Sequence, residues 1–251
     1  MTEQEESFQA ELKIGGQKLR LQGAIPTEPI SIIDLLPLIQ RVADAVGDVA
    51  LHEVKTSGKQ LSCQAGCGAC CRQLVPISEP EAVYLAQLVD AMPAEKQELI
   101  RGRLSEAREK LEQHGMLEAL RMESSTGKPE TRREFGQRYF ELGIPCPFLE
   151  NESCSIHAHR PISCREYLVT SPAVDCADPV AQRVEMVVIP RSVSSTLYRF
   201  GDGEGHDKAH WLPLILALEW AEQHTEQSLP LFPGAKLFEN FIRQFASSKN
   251  G

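Results

Sequence analysis

At 251 residues and 42 % hydrophobic content, the chain is long enough to bury a substantial core, as one large domain or two small ones. Its net charge of −9 argues against a nucleic-acid or anionic-membrane surface, either of which calls for a basic patch. No run of about 18 apolar residues occurs, so no membrane span is expected. The acidic start Met1-Thr2-Glu3-Gln4-Glu5-Glu6 lacks the pattern of a signal peptide. The expected location is therefore the cytoplasm, where eight cysteines serve more naturally as metal ligands than as disulfides.

In chain order, Phe8 to Ile14 alternates apolar and polar residues, Gly15-Gly16 follows, and a second alternating run passes through Leu19 and Leu21. Two such runs around Gly-Gly predict a β-hairpin. Ile25 to Pro29 reads as a linker. Ser31 to Ser57 reads as a helix with Leu35, Leu38, Ile39, Val42, Val46 and Val49 on one face and Pro37 in its first turn, ended by Gly58 at the C′ position. Ser78 and Glu81 form a capping box that opens a helix with Ala82, Leu85, Ala86, Val89 and Met92 on its buried side. One longer, charged helix is expected from Pro93 to about Arg121, its charges forming a solvated face. A turn or flexible loop at Ser124 to Lys128 and a helix over Glu130 to Leu142 follow. Farther on, Val184 to Ile189 reads as a buried strand, Pro213 to Gln223 as an amphipathic helix and Phe238 to Phe245 as a short closing helix.

The chemistry is concentrated between these elements. Cys63, Cys67, Cys70 and Cys71 fall within nine residues as CxxxCxxCC, spaced almost wholly by Gly and Ala. Small residues let the backbone curl until sulfurs converge, as a thiolate trap for a soft or borderline metal requires. Buried cysteines acting only as small hydrophobes have no reason to bunch beside glycines. A second region holds Cys146, Cys154, Cys164 and Cys176, and the polar turn between Cys146 and Cys154 is of the kind that presents thiolates from a hairpin knuckle. His157 and His159 offer nitrogen ligands or are simply solvated. Arg160 and Arg165 flank Cys164. They either lower thiolate pKa and bind an anion, or bond loop carbonyls and acidic neighbours.

The cysteine-rich loop, Cys146-Pro147-Phe148-Leu149, Cys154-Ser155-Ile156, and Arg160-Pro161 leading to Cys164-Arg165 together resemble the bacterial CxxxCxxCC cysteine-cluster family (YkgJ-type), described as zinc- or iron-chelating. The likeness spans about Leu61 to Leu74 and Ile144 to Leu168, with a helical insertion between. It implies metal ligands at Cys63, Cys67, Cys70, Cys71, Cys146, Cys154 and Cys164. Relatives usually carry Tyr where this chain has His157, and Cys176 lies outside the matched pattern.

Eight thiols exceed the four ligands of one structural zinc, and adjacent Cys70 and Cys71 fit two neighbouring metals, or a bridging role, better than one ion. Two zinc ions, a two-metal iron site and an iron–sulfur cluster with spare thiols all remain open. Two function classes follow. One is a metal-binding protein whose partner is the ion itself, with a protein partner open as well. The other is an iron–sulfur enzyme, because Cys63, Cys67 and Cys70 alone spell CxxxCxxC, the spacing of radical S-adenosylmethionine enzymes, and flagellin lysine N-methylases resemble this family. Ala69 stands where such enzymes carry an aromatic, the helices do not alternate with strands as a barrel requires, and metal binding is the favoured class. The expected fold is α+β and mostly helical. An N-terminal hairpin and linker (1–30) precede a helical domain (31–251), whose segments 61–74 and 144–176 meet at one cysteine-rich metal centre.

Overall fold

The computed structural model describes residues 5–126, 129–179, 183–201, 203, 209–224 and 229–247. Strands β1 (Glu5–Ile14) and β2 (Gln17–Pro26) form the expected antiparallel hairpin, in register from Glu5 opposite Pro26 to Ile14 opposite Gln17. Gly15 and Gly16 both take positive φ (56° and 78°), the conformation that turns a two-residue loop with the strand twist. The segment expected to be a linker is instead paired. β2 continues to Pro26, and β3 (Pro29–Ile30) joins a short strand from the far end of the chain.

Helix α1 (Ile32–Thr56) starts where the Ser31 N–H and hydroxyl both donate to the Asp34 carboxylate, at 2.9 and 2.7 Å. It stops at Gly58 (φ 77°), with Gly58 N–H donating to Lys55 O and Lys59 N–H to Val54 O. Because the helix begins at Ile32, Pro37 lies in its second turn rather than its first, where it removes an intrahelical bond. Burial on the predicted face offsets that loss. Leu35, Leu38, Ile39, Val42, Val46 and Val49 are all in the core, each worth roughly 1.5–3 kcal/mol.

After β4 (Pro76–Ile77), α2 (Glu79–Asp90) opens on the predicted Ser78–Glu81 box. The single long helix expected from Pro93 is two, α3 (Ala94–Gln113) and α4 (Leu117–Thr126). The break is at Gly115 (φ 64°), where Gly115 N–H donates to Glu112 O and Met116 N–H to Leu111 O. α4 also takes in Ser124 to Thr126, expected to be a turn; Gly127 and Lys128 lie outside the described residues. α5 (Pro129–Glu141), β5 (Leu149–Glu150), β6 (Ser153–Cys154) and the short α6 (Ile162–Glu166) follow.

Val184 to Ile189 is not a buried strand. Its backbone makes one bridge, Met186 to Val169, and Met186 and Val188 are exposed. The chain ends with α7 (Val193–Phe200), β7 (Leu212–Pro213), which pairs with β4, a 3-10 turn at Leu214–Leu216, α8 (Ala217–Gln223), β8 (Phe232–Pro233), which pairs with β3, and α9 (Gly234–Ser247). Pro213–Leu216 is thus strand and 3-10 turn, not helix, and the closing helix starts before Phe238.

The core forms in two main parts. Hairpin residues Ile14, Leu19, Leu21 and Ile25 pack with α1, α7 and α9, where Phe241 meets Phe200 edge to face at 5.4 Å. Residues of α2 to α5 and α8 pack around Ile77, Phe148 and Leu212. The cysteine segments contribute to both: Ile162 belongs to the first part, Phe148 and Ile156 to the second. A smaller cluster of Ala50, Leu168 and Val187 takes Leu61 and Cys63 against it.

Candidate metal centre

The glycines of the first cysteine segment do what their spacing requires. Gly66 (φ 81°) turns the chain between Cys63 and Cys67, and a one-turn 3-10 helix, Ala69–Arg72, carries Cys70 and Cys71. In the second segment, β5 and β6 make the expected knuckle, with Leu149 opposite Cys154. Its two-residue turn puts Asn151 (φ 49°) and Glu152 (φ 56°) in the left-handed region. Asn tolerates that conformation, and Glu152 is held in it by a bidentate ion pair with Arg72 at 2.6 and 2.9 Å. Cys164 rides on α6, and Cys176 is buried in a 3-10 turn, Ala173–Ala177.

Hydrogen bonds tie the distant segments together. Cys146 N–H donates to Cys71 O at 2.7 Å, Ser62 N–H to Val169 O at 2.9 Å and Ser62 Oγ to Thr170 O at 3.2 Å. Arg72 adds a bond to Gly68 O, and Gly68 lies flat against the knuckle, close to Leu149 and Glu152. Gln73 reaches Tyr167 at 3.1 Å.

All eight cysteines are free thiols. Burial pushes up the thiols of Cys63, Cys146, Cys154, Cys164 (to about 12) and Cys176 (to about 11). A thiolate at Cys70 would oppose ionisation of each of these five, so one sulfur is common to the electrostatics of both segments. Cys70 itself is raised first by its hydrogen bond with Cys71, then by burial. Backbone amides pull the other way: those of Val169, Phe148 and Ile156 hydrogen-bond Cys63, Cys146 and Cys154 and favour the thiolate. Among the described residues, no three His, Cys, Asp or Glu side chains stand in the geometry of a formed ion site. Neutral thiols have no charge to draw them around a point; a cation that displaces their protons supplies that attraction.

The two arginines part company. Arg165 is buried and structural. It grips Asp44 of α1 at 2.7 and 2.8 Å and donates to the carbonyls of Arg160 and Ala158. Arg160 acts on the sulfurs: its charge lowers the thiols of Cys63, Cys70, Cys154 and Cys164, and its buried Nε has no hydrogen-bond partner among the described residues. His159 accepts or donates at Tyr84 OH, 2.7 Å from its Nδ1, and His157 is exposed beside Arg160, whose charge pushes its pKa down.

Two carboxylates that the sequence did not single out for this region hold α6. Glu81 accepts from Ile162 N–H at 2.8 Å besides capping α2, and Glu166 accepts from Ser192 Oγ, Ser194 Oγ and the first amides of α7. The capping pattern revealed Glu81's first task; nothing local in sequence reveals the second.

Residues 62–185 match the model of the CxxCxxCC family, described as a putative zinc- or iron-chelating domain. This segment belongs to that family. The match covers just under half of the chain and takes in all eight cysteines, Cys176 included. No curated protein and no solved structure shows significant similarity to the chain.

The donor set suits such an ion. It is made of thiols, three of them already bonded by backbone amides, with an unpartnered Arg160 N–H buried beside them. Soft thiolates select zinc, copper(I) or iron–sulfur sites, and a site of several thiolates is anionic, which gives Arg160 Nε an acceptor.

Proposed function

We propose that thiolates from both cysteine segments bind zinc or iron, and that the ion locks the loop after α1 to the knuckle and α6. The observation that carries this is the joining of the two segments by backbone hydrogen bonds: Cys146 N–H bonds Cys71 O, and Ser62 N–H bonds Val169 O. The candidate ligands are Cys63, Cys67, Cys70, Cys71, Cys146, Cys154, Cys164 and Cys176. A four-ligand zinc site would use half of them, and a second ion or a bridging thiolate would use more. The bound ion would neutralise the thiolates and fix the fold locally. The S-adenosylmethionine reading gains no support, since Ala69 precedes Cys70 and the described strands pair in four separate two-stranded antiparallel sheets.

The test is elemental analysis of anaerobically purified protein with its Cys67→Ser and Cys154→Ser variants. Wild type retains at least about half an equivalent of zinc or iron, and each variant loses most of it. Full metal content in either variant would show that the segments do not share a centre.

A further inference from the structure

A cleft of about 330 Å³ lies apart from the thiols, between α5 and α7, with no cysteine in its walls. Its floor is apolar, built by Leu74, Pro76, Phe135 and Trp211. Its polar groups are donors. Arg199 spends one guanidinium N–H on Ser195 O at 3.1 Å, and among the described residues it has no carboxylate partner, and the Trp211 N–H and the Ser195 hydroxyl have no hydrogen-bond partner. Among the described residues, no acidic side chain lines the cleft, in a protein whose net charge is −9. Arg199 is the one formally charged side chain among the described lining residues.

Gly136, inside α5, also lines the cleft, and beyond its chain neighbours and its own helix backbone no described atom lies within 4 Å of the point where its Cβ would stand. A glycine in a helix interior costs about 1 kcal/mol relative to alanine, so the missing side chain leaves room at a cost in stability. The opposite wall is rigid. Pro76 O accepts from both Tyr198 OH at 3.0 Å and Ser163 Oγ at 2.7 Å, which fixes α7 and α6 to β4.

An apolar floor of this volume, under a rim of one cation and two neutral donors, has the make-up of a small-molecule site. We propose that the cleft binds a small amphipathic carboxylate, with its apolar body on Trp211 and Phe135 and its carboxylate on Arg199 and Ser195. A buried apolar body supplies affinity, and the charge-assisted contact at the rim selects an acid over its neutral counterpart.

Octanoate and cyclohexanecarboxylate are the probes, titrated into the metal-loaded full chain by calorimetry and by tryptophan fluorescence, since Trp211 and Trp220 are the chain's two tryptophans. Saturable binding of at least one acid is expected, with cyclohexylmethanol and inorganic phosphate each binding more weakly. Gly136→Leu fills the cleft and abolishes binding. Arg199→Gln, at an exposed position, leaves circular dichroism and melting unchanged and weakens the acid by about tenfold. No saturable binding by wild type overturns the proposal, as does unaltered affinity in Arg199→Gln, or equal affinity for acid and alcohol. Should Gly136→Leu not fold, Arg199→Gln and the acid–alcohol comparison decide alone.

Discussion

A methyl group on Gly68 would stand 2.6 Å from Leu149 Cδ1, 2.9 Å from Glu152 Oε2 and 3.0 Å from Glu152 O. The last of these is backbone, so the knuckle has to move away rather than swing a side chain. Gly68→Ala is expected to cost about 1–3 kcal/mol in urea unfolding and to lower retained metal, because the displaced knuckle carries Cys154. Gly102→Ala in α3, where the added Cβ meets nothing within 4 Å, is the control and should be neutral or stabilising by up to about 1 kcal/mol. Equal behaviour of the two variants would remove Gly68 from the closure. Arg160 works at the same scale. Beside anionic thiolates its Nε gains an acceptor, and without them it stays buried with no partner among the described residues.

At the scale of elements, α6 is too short to be stable alone and is fixed by its neighbours. Glu81 is 2 % exposed and bonds both Ser78 and Ile162 N–H. Burial raises its pKa, the bonds from Ser78 and Ile162 opposing. A carboxyl with a raised folded pKa contributes most stability below its unfolded value of about 4.3, and loses that contribution as pH climbs through the folded value. Glu81→Gln puts an amide N–H against donors and should cost about 1–3 kcal/mol at acid pH. In metal-stripped protein that cost should shrink as pH rises towards neutrality. A cost that grows with pH would mean the carboxyl is held as an anion by its three donors. This element also marks the border of what was legible in sequence. Helices with a local start or stop signal, such as α1 with Gly58 and α2 with its Ser78–Glu81 box, were readable, as were the Gly-Gly hairpin and the cysteine clusters, because their causes are local. The break at Gly115 was written in the sequence but masked by a continuous charged pattern. Arg72–Glu152 and Glu81–Ile162 join residues 80 and 81 positions apart, and no local pattern records them.

Across the whole molecule, the cysteine segments carry side chains of both main core parts, so an ion held there would act on each. Chelation of the loaded protein should lower its melting temperature by several degrees, and Cys154→Ser as purified should melt with the stripped wild type, since both lack the same ligand-bound state. A variant that melts well below stripped wild type would show that Cys154 contributes packing beyond metal binding.

The closure of the loop after α1 onto residues 108 positions away sets a clock as well as a shape. In the native chain, the thiols of Cys63, Cys146, Cys154, Cys164 and Cys176 are suppressed as nucleophiles by burial. Once that contact parts, Cys63, the residue next to Ser62, returns to the ordinary reactivity of a thiol with a pKa of about 8.5. Alkylation of Cys63 in metal-free protein should therefore follow the opening of the 62–169 contact, and cutting that contact by Ser62→Pro should accelerate labelling at Cys63 before it reaches Cys146.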